Sequence, residues 1–155
     1  MPDVKPISDS YPRVSPHLSV HGAAEAIAFY SKVFGVGERM RIATPDGTIA
    51  HAELQIGDSV VMIGDEAPEG TDPSPTTLGG SPVSLFVYVE DVDEVFARAL
   101  SEGAKEVGAP EDHFYGDRVG TFDDPFGHRW NVATHIEDVS PEEMGRRAEE
   151  AMAAS

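Results

Sequence analysis

Residues 14–34 read VSPHLSVHGAAEAIAFYSKVF, and residues 83–101 read VSLFVYVEDVDEVFARALS. Both open on alternating chain and then change period. In the first, Val14, Leu18 and Val20 take one parity and His17 and Ser19 the other, the mark of a half-buried strand. His21-Gly22 ends it. Ala23, Ala26, Ile27, Tyr30, Val33 and Phe34 then recur at three- and four-residue spacings, which lays one apolar face along a helix. Gly35 follows, where a C-capping glycine belongs. In the second stretch Val83, Leu85, Val87 and Val89 oppose Ser84, Phe86 and Tyr88. Val92, Val95, Phe96, Ala99 and Leu100 make the helical face, and Glu102-Gly103 closes it.

The same order continues outward from each. After the first helix the pattern predicts strands over 37–44, 48–56 and 59–63. Pro45-Asp46-Gly47 and Gly57-Asp58 form the turns, since proline presets one dihedral and glycine takes a positive one. Residues 64–81, rich in proline and glycine, read as a long exposed loop. After the second helix come irregular extended chain over 104–114, a strand over 117–122, the turn Pro125-Phe126-Gly127 and a last strand over 128–134. The whole is an α+β chain of two βαβββ repeats. Residues 1–12 are a flexible lead-in. Residues 13–139 form one domain, with repeat one over 13–64, a loop over 65–81 and repeat two over 82–139. Residues 140–155 are a tail helix, begun by Ser140 as N-cap, Pro141 in the first turn and Glu143 at the capping-box position.

The chain has 155 residues, 40% hydrophobic and 25% charged, the composition of an ordinary globular protein. It has no cysteine, which removes disulfides, thiolate metal sites and a cysteine nucleophile. The formal net charge of −17 disfavours nucleic acid and anionic membranes, whose recognition needs Lys and Arg. No apolar run is long enough to span a membrane and no signal core opens the chain, so a cytoplasmic location is expected.

Ala26-Ile27-Ala28-Phe29-Tyr30 with Val33-Phe34-Gly35, and Asp124-Pro125-Phe126-Gly127-His128, resemble the first-helix and last-turn signatures of the glyoxalase / bleomycin-resistance / extradiol-dioxygenase (vicinal oxygen chelate) superfamily. Residues 117–120 and 133–139 look like its PhnB-like branch. The resemblance covers roughly residues 12–139. It implies curved mixed sheets around a cavity and a homodimer. It also implies four metal-ligand positions, on the first and last strand of each repeat. These fall at Ser15 (or His17 with the register slipped by two), Met62, Ser84 and Asn131. Serine, methionine and asparagine do not make a divalent-cation site, so no cofactor is expected. The alternative is a divalent metal on His17, His51 and Glu53, should they converge.

Parity supplies a lining without a metal. Ala50, Ala52, Leu54 and Ile56 face the helices, so His51, Glu53 and Gln55 face the cavity. His17, Met62, Ser84, Phe86, Tyr88, Arg129 and Asn131 join them as ligand-binding candidates, an aromatic and polar mixture suited to an organic ligand. Tyr115 and Arg118 could hold an anionic or aromatic group, the alternative being an Asp117–Arg118 surface pair. Trp130 takes the parity of the core. His51 and Glu53 are the candidate catalytic acid–base pair. The leading expectation is a metal-independent small-molecule binder. The second is a lyase- or isomerase-type enzyme using His51 and Glu53, and the third a dimer with a vestigial pocket. Met144, Ala148, Ala151 and Met152 on the tail helix offer an apolar face for dimer contact.

Overall fold

The computed structural model describes residues 3–155. Its elements run β1 (His17–Val20), α1 (Ala23–Phe34), β2 (Gly37–Ala43), β3 (Ile49–Ile56), β4 (Ser59–Asp65), α2 (Pro75–Leu78), β5 (Ser84–Tyr88), α3 (Val92–Ser101), β6 (Lys105–Asp112), β7 (Asp117–Asp123), β8 (Arg129–His135) and α4 (Pro141–Ala153). They form two compact units, one ending at Gly80 and the other starting at Ser81. Each carries one four-stranded mixed sheet, ordered β1-β4-β3-β2 in the first and β5-β8-β7-β6 in the second. The α+β architecture of two βαβββ repeats with a C-terminal helix is therefore observed.

In both units the first strand lies parallel to the last and the remaining pairs are antiparallel. A parallel pair needs a crossover connection, and the helix with its two following strands supplies it. The apolar faces pack as their spacing dictates. In the first unit Ala26, Ile27, Tyr30 and Val33 of α1 are buried, as are Leu18, Val20, Ala52, Leu54 and Ile63 of the sheet. In the second, Val92, Val95, Phe96 and Ala99 of α3 are buried, with Phe122, Trp130 and Val132. Burying a side chain such as Phe122 is worth about 1.5–3 kcal/mol. Gly120 makes room for this packing: a Cβ there would lie 2.8 Å from the Phe96 ring.

Polar ties fix the two signatures. Asp124 Oδ1 accepts the N–H groups of Phe126 and His128, each at 2.9 Å, which shapes the Asp-Pro-Phe-Gly turn. Its Oδ2 accepts Trp130 Nε1–H at 2.9 Å, so the turn is pinned to the core indole. Gly35 has φ 65° and donates to Ser31 O, the helix-ending role its position predicts. The N-terminus of α1 has no cap from its own segment. Asp65, at the end of β4, reaches it instead: Oδ1 accepts from Gly22 N at 3.0 Å and Ala23 N at 2.9 Å. Asp65 Oδ2 accepts from Ile49 N at 2.8 Å and so holds β3 as well.

Several expected boundaries change. β1 starts at His17, not Val14. Residues 105–112, expected as irregular chain, form β6, its pairing with β7 interrupted by register shifts between Glu106 and Glu111. Residues 64–81 are not one exposed loop. β4 runs on to Asp65, and Pro75–Leu78 is a helical turn capped by Ser74. Ser74 is fully buried and donates its N–H to Glu66 Oε1 at 2.7 Å, while Thr77 Oγ1–H donates to Glu66 Oε2 at 2.7 Å. In α4 only half of the capping box forms. Ser140 Oγ accepts from Glu143 N, but the Glu143 carboxylate turns to Arg146 and Arg147.

Asp65→Ala removes one acceptor from three backbone donors at the junction of β4, α1 and β3. The expected loss is about 2–4 kcal/mol, less than three bonds to a charged group at about 1.5–3 kcal/mol each would sum to, because water reaches some of these part-buried donors once the carboxylate is gone. Urea unfolding measures it, with Asp58→Ala in the exposed hairpin turn as the control; a loss no larger than the control's would contradict this role.

Candidate functional site

The face of the first sheet opposite α1 is organised around one carboxylate. Glu53, in the middle of β3, is 3% exposed. Its neighbours across the sheet are Met62 on β4 and Met40 on β2, and Met62 pairs in turn with His17 on β1. Three side chains close on the carboxylate. Tyr11 OH donates to Oε1 at 2.9 Å and lies 3.0 Å from Oε2. His51 Nε2 is 2.8 Å from Oε2. Arg39 Nε is 3.9 Å from Oε1. Burial pushes the Glu53 pKa up, but the bonds from His51 and Tyr11 and the charges of His51 and Arg39 outweigh it. The net result lies below the usual 4.5, and Glu53 is an anion at neutral pH. The Tyr11 phenol is raised by the same bond.

An ionised carboxylate only accepts, so His51 Nε2 carries the hydrogen of this contact. In the neutral ring Nδ1 is then the lone-pair nitrogen. The His51 ring stacks on His17, with centroids 6.0 Å apart and planes 21° from parallel. Histidine, carboxylate and a second imidazole thus share one face, as parity predicts. They do not form a metal cage. Among the described residues no group of three or more His, Cys, Asp or Glu side chains is arranged to hold an ion. At the four strand positions that the resemblance assigns to a metal, the donors do not fit one. The first unit offers Ser15 or His17 with Met62. The second offers Ser84 and Asn131, and Asn131 Nδ2 is engaged with Ser84 Oγ at 3.2 Å.

Arg39 and Tyr11 are site residues that strand parity missed. A register shift between Glu38 and Met40 makes a β-bulge at Arg39, and a bulge re-aims a side chain that simple alternation sends elsewhere. Tyr11 belongs to the lead-in, which carries no periodicity. Gln55 faces as expected, but its amide donates to Gly57 O at 2.8 Å and Ser59 O at 3.2 Å, closing the hairpin. Beside His17, a pocket of about 330 Å³ is lined by Ser19, Thr71, Asp72 and Pro73. Ser19 Oγ–H donates to Asp72 O at 2.6 Å, so part of the 64–81 segment borders the site.

The second unit buries a carboxylate of its own. Asp117, at the start of β7, is 4% exposed. Tyr88 OH donates to its Oδ2 at 2.7 Å, and His135 Nδ1 lies 2.8 Å from its Oδ1. His135 Nε2 meets Asp138 at 2.7 Å. Asp117 is lowered from the usual 3.8 despite its burial, through Tyr88 and His135. His135 is raised above 6.5, chiefly by its bond to Asp117 and then by that to Asp138. The Asp117–Arg118 surface pair, the alternative to a ligand-holding role for Arg118, does not form, because adjacent strand residues point to opposite faces. Arg118 instead lies against α3, bidentate to Asp93 at 2.9 and 3.0 Å and bonded to Asp112 at 3.0 Å. Its charge is spent there. Arg129 is similarly held by Asp123. Tyr115 stacks on His113 at 5.2 Å. Phe86 and Tyr88 are 50% and 59% exposed, with ring centroids 5.4 Å apart.

With this geometry in place, comparison with known proteins gives the class. Residues 14–132 match the model of the Glyoxalase/Bleomycin resistance protein/Dioxygenase superfamily, and the chain belongs to that family. An uncharacterized protein of Mycobacterium tuberculosis is 45% identical over 136 residues, covering 86% of this chain and 80% of that protein. Among solved structures, TioX from Micromonospora sp. ML1 is similar at 29% identity and a TM-score of 0.63, over 81% of this chain and 99% of TioX. A glyoxalase/bleomycin resistance protein/dioxygenase family enzyme from Burkholderia phytofirmans PsJN shares the fold, at 18% identity and a TM-score of 0.61, over 79% of this chain and 97% of that one.

A group whose pKa is depressed by folding stabilises above its unfolded value, and that contribution is lost as pH falls through the folded value. Glu53 is such a group. The Glu53→Gln variant should therefore show a shallower loss of stability than the wild type as pH falls below about 4.5. His135 has the opposite sign: its contribution is full below 6.5 and is lost as pH rises through its raised value. His135→Gln should flatten that alkaline limb. Urea midpoints from pH 3 to pH 9 check both, and limbs parallel to the wild type's would contradict the assignments.

Proposed function

We propose that this protein is a metal-independent small-molecule-binding member of its superfamily, taking an aromatic or polar organic ligand on the face of the first sheet that carries His17, His51 and Glu53. The observation behind this reading is the three-sided enclosure of Glu53. With its charge met by Tyr11, His51 and Arg39, the carboxylate serves as a scaffold rather than as a free metal ligand. What the face offers outward is a pair of stacked imidazoles, the thioether of Met62 and the half-buried Arg39. Pockets for organic ligands combine apolar walls with a few placed polar groups. In the second unit Ser84, Phe86, Tyr88 and Asn131 supply a further aromatic and polar strip by the same logic.

A second reading has its own support. The 2.8 Å contact between His51 and Glu53 is that of a carboxylate orienting an imidazole whose other nitrogen is left to move a proton. A lyase or isomerase would use that pair, with His51 as the acid–base group and Glu53 fixing its tautomer. We further read the chain as a homodimer of the PhnB-like branch, acting in the cytoplasm. The branch rests on residues 117–120 and 133–139. The dimer is supported by α4, which buries none of its residues and leaves Met144 and Met152 exposed.

A thermal-shift screen of planar aromatic acids, amides and phenols tests the binding reading. Hits should stabilise the wild type equally with and without EDTA and lose at least five-fold in affinity in His51→Ala. A hit that needs added metal, or that ignores His51→Ala, would count against it. Turnover of a hit that disappears in His51→Ala would move the assignment to the enzyme. Light scattering should give a mass near two chains; a monomer mass would remove the dimer.

A further inference from the structure

We infer that Tyr11 is an internal stand-in for the ligand: the Ser10–Tyr11 segment occupies the Glu53–Arg39 site, and an aromatic ligand with a hydroxyl beside an oxygen acceptor displaces it. The inference rests on the binding reading above and names the chemistry that the site takes.

Residues 3–16 lie outside every helix and strand. Polar contacts tie the segment down at the site. The Tyr11 hydroxyl donates to Glu53, and Arg39 Nη2 donates to Ser10 O at 2.9 Å. The Tyr11 ring lies against the guanidinium, whose central carbon is 4.6 Å from the ring centroid. Tyr11 is nonetheless 37% exposed, and none of residues 3–16 is buried. A planar ring on a cation, with its hydroxyl on a buried carboxylate, is how a protein recognises a phenol.

A second observation shows that this occupant is imperfect. Arg39 Nη1 is buried and has no hydrogen-bond partner. An unmet buried donor is costly, and the phenol side chain has no second oxygen to offer it. A ligand carrying a carbonyl next to its hydroxyl could place the ring on the guanidinium, the hydroxyl on Glu53 and the carbonyl on Nη1. It would keep the contacts of the Tyr11 ring and hydroxyl and meet Nη1, while Nη2, which gives up Ser10 O, turns to water. The geometry therefore favours ortho-hydroxy aromatic carbonyl compounds over simple phenols or aromatic acids lacking the hydroxyl. When such a ligand enters, the segment before Val14 is freed. Ligand binding then loosens the N-terminal segment instead of tightening it.

The test uses the full chain with 2-hydroxybenzamide as probe and 2-methoxybenzamide, which has no hydroxyl donor, as control. Ring signals of His17 and His51 in NMR report occupancy, and the rate of tryptic cleavage after Arg13 reports release. Expected in the wild type are shifts at both histidines and at least three-fold faster cleavage with the probe, and neither with the control. Tyr11→Phe, which keeps the ring, should bind the probe several-fold more tightly. It should also start from faster cleavage that the probe no longer changes. Histidine shifts with unchanged or slower cleavage would overturn the displacement while leaving the site in place. No histidine shift in either chain at millimolar probe would remove the site and this inference together.

Discussion

In each unit the first strand lies parallel beside the last, and the rest of the architecture follows from holding that pair in place. The helix must cross from one strand to the far side of the sheet, so its start has to be fixed relative to the last strand. The two units do this with different chemistry. In the first, the Asp65 carboxylate accepts the opening amides of α1 and one of β3. In the second, a threonine suffices: Thr134 Oγ1 accepts from Val92 N at 2.8 Å and donates to Val89 O at 2.9 Å. A repeated topology therefore does not require a repeated residue, only an oxygen at the end of the closing strand that can reach the helix start.

With the sheets fixed, the faces away from the helices carry the polar chemistry, and each unit buries one carboxylate there. Taking a lone carboxylate out of water costs several kcal/mol, which only close partners offset. Both units solve this with one tyrosine and one histidine, Tyr11 and His51 for Glu53 and Tyr88 and His135 for Asp117. The solutions differ in where they leave the imidazole. His51 keeps one nitrogen away from the carboxylate, whereas His135 has a carboxylate on each ring nitrogen, which favours its charged form. The first arrangement leaves a histidine available for chemistry or binding. The second ties the end of β8 to the start of β7.

The helical faces, the alternation of β3 and the turn chemistry were legible in the sequence because each depends on neighbours within a few residues. Ala52 and Leu54 inside with His51 and Glu53 opposite follow from parity alone. Glu53 and His51 could be named as candidates, but the bond between them could not be told from a polar stripe. Arg39 was hidden because a bulge adds one residue to β2 and breaks the alternation. Tyr11 was hidden because nothing local marks a residue that acts 42 positions away in sequence. Arg118 looked available because its partner Asp93 lies on another element. The segment 64–81 read as open loop because its order comes from Glu66, whose carboxylate gathers Ser74 and Thr77 across several residues.

The bond between Trp130 and Asp124 has a spectroscopic consequence. The chain has a single tryptophan, it is 2% exposed, and its indole N–H is held by the carboxylate that shapes the last turn. All of its emission therefore originates in the second unit. A denaturation curve read at that indole describes the unit from Ser81 onward, and the first unit, with no indole, is silent in it. Backbone ellipticity draws on both units, so comparing the two signals separates one cooperative transition from two.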